Sequence, residues 1–264
     1  MLSFFTDPYF IGFVIIGLVF SLFEYFFSYR KEKKSLNQSL SDFAYQLINY
    51  KLVGAYLELA VVYSLSWLPF AKFQYGEAFW EPIPIWIRFV FFLIAVDFCE
   101  YLVHNLLHRV PFLWEFHKVH HAIPKLDWWG NMHFHPLEIF IYKFFLYVPL
   151  IFLQPLFPTE YFLHFVLLRL AIGSLAHTNL NINLGPLNYL INNPTIHRWH
   201  HAAGKEAVNK NLGVTFTAWD FIFGTALYPK NRPYPEKGLG FPQSSSFSSF
   251  FKQLYLPFIH LFKK

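Results

Sequence analysis

Five apolar stretches dominate this chain, each long enough to approach or cross the roughly 30 Å hydrocarbon core of a bilayer, which takes about 20 helical residues. They run from Tyr9 to Ser28, Leu52 to Ala71, Ile83 to Val103, Leu137 to Phe157 and Tyr161 to Ala176. The fifth is the shortest, and with the fourth it can form a tight pair that only partly spans. Of the 264 residues, 55% are hydrophobic and only 14% are charged, against about 25% charged in a soluble chain. That shortage of polar surface excludes an ordinary soluble enzyme and a disordered chain. Cys99 is the single cysteine, so no intramolecular disulfide and no cysteine-based metal site can form. The expected fold is all-α: a polytopic membrane bundle of four to five spanning or partly spanning helices.

Basic residues orient such a bundle, because cytoplasmic loops carry the excess of Lys and Arg. Arg30, Lys31, Lys33 and Lys34 follow the first stretch, and none precedes it. The N-terminus is therefore expected outside and residues 29–51 in the cytoplasm. The loop from Lys72 to Pro82 then falls outside, and both His104–His135 and the chain beyond His177 fall inside. The first stretch does not read as a signal peptide, since no small-residue cleavage site follows it. A net charge of +5 and a pI near 9.1 fit basic membrane flanks better than a nucleic-acid partner. Three regions are expected. Residues 1–82 hold N-terminal membrane helices and a linker, and residues 83–228 form a catalytic domain with a cytoplasmic helical cap. Residues 229–264 form a flexible linker (Gly238 to Ser249) and a C-terminal interfacial helix (Phe250 to Phe262).

Histidine carries the functional signal. Twelve of the thirteen histidines lie between His104 and His201. His104 and His108 stand four apart, on one helical face. His117, His120 and His121, and again His197, His200 and His201, stand at i, i+3 and i+4. His133, His135 and His177 lie near these boxes. Imidazole suits Fe, Zn, Cu and Ni, and eight to ten rings are too many for one ion and about right for two. No His-Glu-x-x-His motif and no paired Glu-x-x-His pattern is present. One box alone is equally a surface metal scavenger or a pH-sensitive patch; three boxes on one side of a membrane point to a dinuclear metal centre. His164 reads as a buried polar contact and His260 as a lipid-interface residue.

The order Asp97, His104-x-x-x-His108, Leu113-Trp114-x-Phe116-His117-x-x-His120-His121, His135-Pro136-Leu137-Glu138, His177-x-Asn179, His197-x-x-His200-His201, Asn211-x-Gly213 and Trp219-Asp220-x-x-Phe223-Gly224-Thr225 resembles the fatty acid hydroxylase and sterol desaturase superfamily. The match covers residues 90–228. The resemblance implies an integral-membrane, non-haem di-iron oxygenase that uses O2 on lipid C–H bonds, with two Fe ions that can be replaced by Zn on isolation. It implies that His104, His108, His117, His120, His121, His177, His197, His200 and His201 are metal ligands. His135 is implied as a ligand or as a support for one. Such sequences often carry Arg where His133 stands here. His133 is then either an additional ligand or a neutral replacement for that base.

Asp97, Tyr101, His104 and His108 follow steps of 4, 3 and 4, one face of one helix. A carboxylate there can orient a ligating imidazole by accepting its free N–H; the alternative is an ion pair with Arg88 or Lys143. Glu138, Asn179 and Asp220 are further candidates for such support. The expected partners are a lipid substrate, the membrane and an electron donor protein (cytochrome b5, a ferredoxin or a reductase), with no nucleic acid. The site faces the cytoplasm, at the inner membrane in a bacterium or the endoplasmic reticulum in a eukaryote. Two other classes remain open: a zinc-dependent lipid hydrolase and a histidine-rich metal-ion transporter.

Overall fold

The computed structural model describes residues 7–49, 63, 67, 80–153, 161–229, 232, 234–242 and 244–262. These residues form an all-helical fold: α1 (Pro8–Phe27), α2 (Leu36–Leu47), α3 (Ile85–Arg109), α4 (Pro111–His121), α5 (Pro136–Leu153), α6 (Phe162–His177), α7 (Pro194–His200), α8 (Ala218–Phe223) and α9 (Phe250–Phe262). Short 3-10 turns punctuate the connections at Trp128–Met132, Gly185–Tyr189, Lys205–Ala207 and Ser244–Phe247. Among the described residues there is no strand, only isolated bridges pairing Ile191 with Phe216 and Ala202 with Leu239.

Of the expected spans, α1 matches the first stretch, and among the described residues it alone is long and apolar enough to cross a membrane. The stretch from Leu52 to Ala71 lies outside the described residues, apart from two isolated positions. The third stretch runs on past Val103 to Arg109, so the first histidine pair rides on the same helix. The fourth is helical to Leu153, beyond which residues 154–160 are not described, and the fifth becomes α6.

Asp7 caps α1 by accepting from Tyr9 N at 3.2 Å, and Pro8 takes the first helical position, where its missing N–H costs nothing. Two glycines let α1 lie close to its neighbours. A Cβ on Gly12 would sit 2.4 Å from Leu167, and one on Gly17 would sit 2.5 Å from Trp128. At its far end Glu24 Oε1 accepts from Trp128 N (3.1 Å) and Asn179 N (2.8 Å), which ties the helix to two loops of the histidine region. Between α3 and α6 the charges of the apolar stretches neutralise each other: Arg169 pairs with Asp97 (3.0 Å) and with Glu100. Phe92, Val96 and Phe165 pack around that pair of helices.

Helix α2 is inverted relative to a soluble amphipathic helix. It buries Gln38, Ser41, Asp42, Tyr45 and Gln46 and exposes Leu36, Leu40, Phe43 and Leu47. Helix α9 repeats the pattern, burying Gln253 while exposing Phe251, Tyr255, Phe258 and Phe262. The segment before it is not a free tether. Phe247 is buried against Tyr45, Val119 and Ala122, and Gly240 N donates to His201 O at 2.9 Å. Gly238 and Gly240 adopt φ of 72° and 107°, the left-handed region glycine reaches without steric cost.

Candidate metal centre

Helix α3 ends at Arg109, and Pro111 starts α4 two residues later, so the chain folds back sharply. That turn brings His117 to the pair on α3: its Nε2 lies 3.2 Å from His104 Nε2 and 3.1 Å from His108 Nε2. His121 Nε2 reaches His108 Nε2 at 3.2 Å. Helix α7 enters from the other side, its N-terminus capped by Asn193, which accepts from Thr195 N (3.0 Å) and Ile196 N (3.3 Å). His177 closes α6, with Nε2 at 3.3 Å from His120 Nε2 and 3.0 Å from His197 Nε2.

The nine histidines sort into two groups. His104, His108, His117, His121 and His200 form one, and His120, His177, His197 and His201 form the other. Within each group, one nitrogen per ring lies within 4.8 Å of every other. All are buried except His108, which is partly exposed. The groups abut, since the rings of His121 and His201 stack at 4.4 Å.

The nitrogens pointing away from each group fix what the inner ones can be. His104 Nδ1 donates to Leu212 O (2.7 Å), His120 Nδ1 to His133 O (3.3 Å), His177 Nδ1 to Gly173 O (2.8 Å) and His200 Nδ1 to Lys210 O (2.9 Å). His117 Nδ1 donates to Glu138 Oε1 at 2.6 Å. A carbonyl only accepts, so those Nδ1 atoms carry the proton and Nε2 keeps its lone pair. Burial pushes the pKa of His117, His120, His121, His197, His200 and His201 well below the ordinary imidazole value, with neighbouring imidazoles adding to it, so the rings are neutral. His104 and His117, and likewise His120 and His177, therefore point lone pair at lone pair. Such contacts repel unless a cation lies between them. Nitrogens sharing one ion at about 2.0–2.1 Å stand roughly 3 Å apart, which fits the observed spacings. An outward N–H on a carbonyl or carboxylate is also the usual support of a metal-bound histidine.

The remaining candidates divide. Glu138 supports His117 directly. Asp220 acts at one remove, accepting from Leu212 N (2.7 Å), Gly213 N (2.8 Å) and Thr225 Oγ1 (2.6 Å), which fixes the loop whose Leu212 carbonyl holds His104. Among the described residues Asp97 forms no hydrogen bond or ion pair with a histidine. It accepts from Thr215 N, Phe216 N and Trp219 Nε1 at 2.7–3.0 Å, and its ion pair is with Arg169 rather than Arg88 or Lys143. Asn179 also misses the rings. Its amide binds Arg30 O at 2.7 Å, and so docks the end of α1 beside His177.

His133 and His135 join neither group. His133 directs Nδ1 at Asp42 and Nε2 at Gln253 Oε1 (3.0 Å), so both nitrogens are engaged away from the centre. His135 Nδ1 accepts from Leu137 N (3.1 Å) at the start of α5, and its Nε2 donates to Leu254 O (3.1 Å). His164 is exposed rather than buried. His260 packs against Glu115 (3.3 Å) and the Phe247 ring rather than facing outward alone. Sequence reasoning missed Asp42 and Gln253. The available signal for Asp42 is the recurrence of Gln38, Asp42 and Tyr45 at steps of 4 and 3 on α2, a stripe that Asn49 extends just past the helix end.

The fatty acid hydroxylase family model matches residues 89–225, just over half of the chain and all nine grouped histidines. The chain belongs to the fatty acid hydroxylase family. Among its relatives, an ornithine lipid hydroxylase of Rhizobium tropici is 28% identical over 232 residues, 84% of this chain and 69% of its own. An alkylglycerol monooxygenase of Xenopus tropicalis is 31% identical over 157 residues, 58% of this chain and 33% of its own. Methylsterol monooxygenase 1 of Rattus norvegicus is 30% identical over 158 residues, 55% of this chain and 50% of its own. This fatty acid hydroxylase family member thus spans about a third to a half of the monooxygenases and about two thirds of the bacterial hydroxylase. No solved structure matches it.

Proposed function

We propose that this chain is a membrane-bound di-iron oxygenase that hydroxylates or desaturates a C–H bond of a lipid, using O2 and two electrons. The observation that carries the reading is the pair of buried imidazole groups whose inner lone pairs face one another. In this reading His104, His108, His117, His121 and His200 hold one ion, and His120, His177, His197 and His201 hold the other. Iron, when bound, supplies O2-dependent oxidation of an unactivated C–H bond, chemistry that redox-inert zinc lacks.

The chain's own residues do the rest. Leu212, Lys210, Gly173 and His133 lend carbonyls that keep five-membered rings in one tautomer, and Glu138 does the same for His117. Phe134 stacks on His120 with ring centroids 4.2 Å apart and shields that group from water. Glu24 and Asn179 fasten α1 beside His177, so a lipid held against the membrane helices has its chain near the histidines. In this reading the basic segment Arg30–Lys34 after α1 lies in the cytoplasm, where Lys and Arg are in excess, and the centre lies on the same side. Two electrons per turnover come from a separate carrier such as cytochrome b5, a ferredoxin or a reductase.

The test uses metal-stripped protein in lipid bilayers, reloaded with Fe(II) and a reductant under labelled O2. The expected products are lipids that gain one labelled oxygen or lose two hydrogens, and the Zn(II)-loaded protein is expected to give none. Lipid turnover by the zinc form without O2 would overturn the oxygenase and favour the hydrolase.

A further inference from the structure

His133 stands between the four-histidine group and two helices, with its ring toward Asp42 on α2 and Gln253 on α9 and its backbone carbonyl toward His120. Its Nδ1 pairs with Asp42 Oδ1, and both side chains are only 1% exposed. Its Nε2 donates to Gln253 Oε1 at 3.0 Å. The orientation of that amide is set independently, because Gln253 Nε2 donates to Phe247 O at 2.9 Å. The ring is thus gripped from both sides, and the Tyr45 ring packs on it with centroids 4.6 Å apart. The backbone carbonyl of the same residue accepts from His120 Nδ1 at 3.3 Å. His120 is the only member of the four-histidine group contributed by α4. Asp42 itself is held by Lys34 Nζ, which also reaches Asp127 Oδ2 at 2.6 Å. Helices from the two ends of the described chain therefore meet on one residue, one hydrogen bond away from one histidine of one group. The five-histidine group takes its carbonyl support elsewhere, from Leu212 and Lys210.

We propose that Asp42 is a positioning residue for the four-histidine group: by fixing the His133 ring it aims the carbonyl that orients His120, and so governs metal uptake at that group alone. The proposal rests on the two-ion reading above. Loss of a group that supports a metal-bound histidine typically costs about 10–100-fold in metal affinity. Asp42 acts through His133, so the lower end, about 10-fold, is expected for the second ion.

The experiment titrates full-length, metal-free protein in bilayers with Co(II) and counts ions by calorimetry and elemental analysis. Wild type is expected to take two ions. Asp42→Ala is expected to take the first with unchanged affinity and the second about 10-fold more weakly. Gln253→Ala, which releases the same ring from the opposite helix, is expected to do the same and serves if Asp42→Ala does not fold. Gln38→Ala removes a different α2 contact, Gln38 Nε2 to Lys125 O at 2.7 Å, without touching His133, and is expected to bind both ions as wild type does. Asp42→Ala and Gln253→Ala that bind both ions normally, or lose both alike, would overturn the proposal. Equal damage by Gln38→Ala would reduce Asp42 to a docking role and overturn it too. A wild-type chain that takes up fewer than two ions instead overturns the two-ion reading, and with it this proposal.

Discussion

His120 and His200 hold the same i+3 place in their boxes, yet each faces the group that its own box mainly avoids. On α4, His117 and His121 join the five-histidine group and His120 crosses to the other. On α7, His197 and His201 join the four-histidine group and His200 crosses back. Residues at i and i+4 share a helical face, and the i+3 position lies beside it. Two helices that meet through these histidine rings can therefore each serve both groups.

On the two-ion reading, that exchange separates the ions experimentally. His120→Ala is expected to weaken metal at the four-histidine group and His200→Ala at the five-histidine group, while each abolishes lipid oxidation. Elemental analysis after dialysis, paired with product assays, checks it. Identical loss of both ions in both variants would show that the groups do not load independently.

Trp114 offers an optical reading of one group. Its ring lies 5.2 Å from those of both His108 and His121, and among the described residues the histidine rings it packs against, His108, His117 and His121, all belong to the five-histidine group. Co(II) at that group is expected to quench its fluorescence, and Trp114→Phe to remove the component that saturates with one equivalent. An unchanged titration in the variant would place the first ion elsewhere.

Gly213 is required by close approach. A Cβ there would lie 2.4 Å from Phe216 O, in the same loop, and 2.8 Å from Asp220 Oδ2, the α8 carboxylate that fixes the loop holding His104. Overpacking of this kind costs about 1–3 kcal/mol. Gly213→Ala is expected to lower the melting temperature and weaken metal at the five-histidine group. Unchanged thermal unfolding and metal titration would refute this.

The metal-free protein is expected to lose stability in acid. Six histidines, three on α4 and three along and at the end of α7, have folded pKa values depressed by burial, so they stay neutral while folded. Once unfolded they titrate near 6.5. The unfolded state then binds more protons below that pH, so the stability these groups contribute is present above about pH 6.5 and falls as the pH drops. Urea unfolding between pH 8 and pH 5 measures it; a flat profile would mean the rings are not buried without metal.

The boxes were legible because i, i+3, i+4 spacing is a property of one helix. Their division into two groups was not, since it depends on how α4 and α7 face each other. Asp97 misled for a related reason. A carboxylate one turn from a histidine box suggests support for that box, but its partner Arg169 lies 72 residues away. His133 sits two residues from a family motif, and the sequence alone allows it as a ligand. Only the approach of Asp42 and Gln253 shows that both its nitrogens are spoken for. The sequence offers Glu138 and Asp220 as candidate supports; that one bonds His117 and the other the loop that carries His104's carbonyl partner is visible only in three dimensions.

Helix α2 turns its polar side inward and its leucines outward, and that reverses how it finds its place. Collapse in water drives apolar side chains together, so it would pull Leu36, Leu40, Phe43 and Leu47 toward the wrong surface. Only an apolar surrounding removes that competing arrangement and leaves the pairing of Asp42, Gln46 and Asn49 with the loop at 129–134 as the dominant bias. On the membrane-bound reading proposed above, the polar seam behind His120 therefore closes after the chain has inserted, not before.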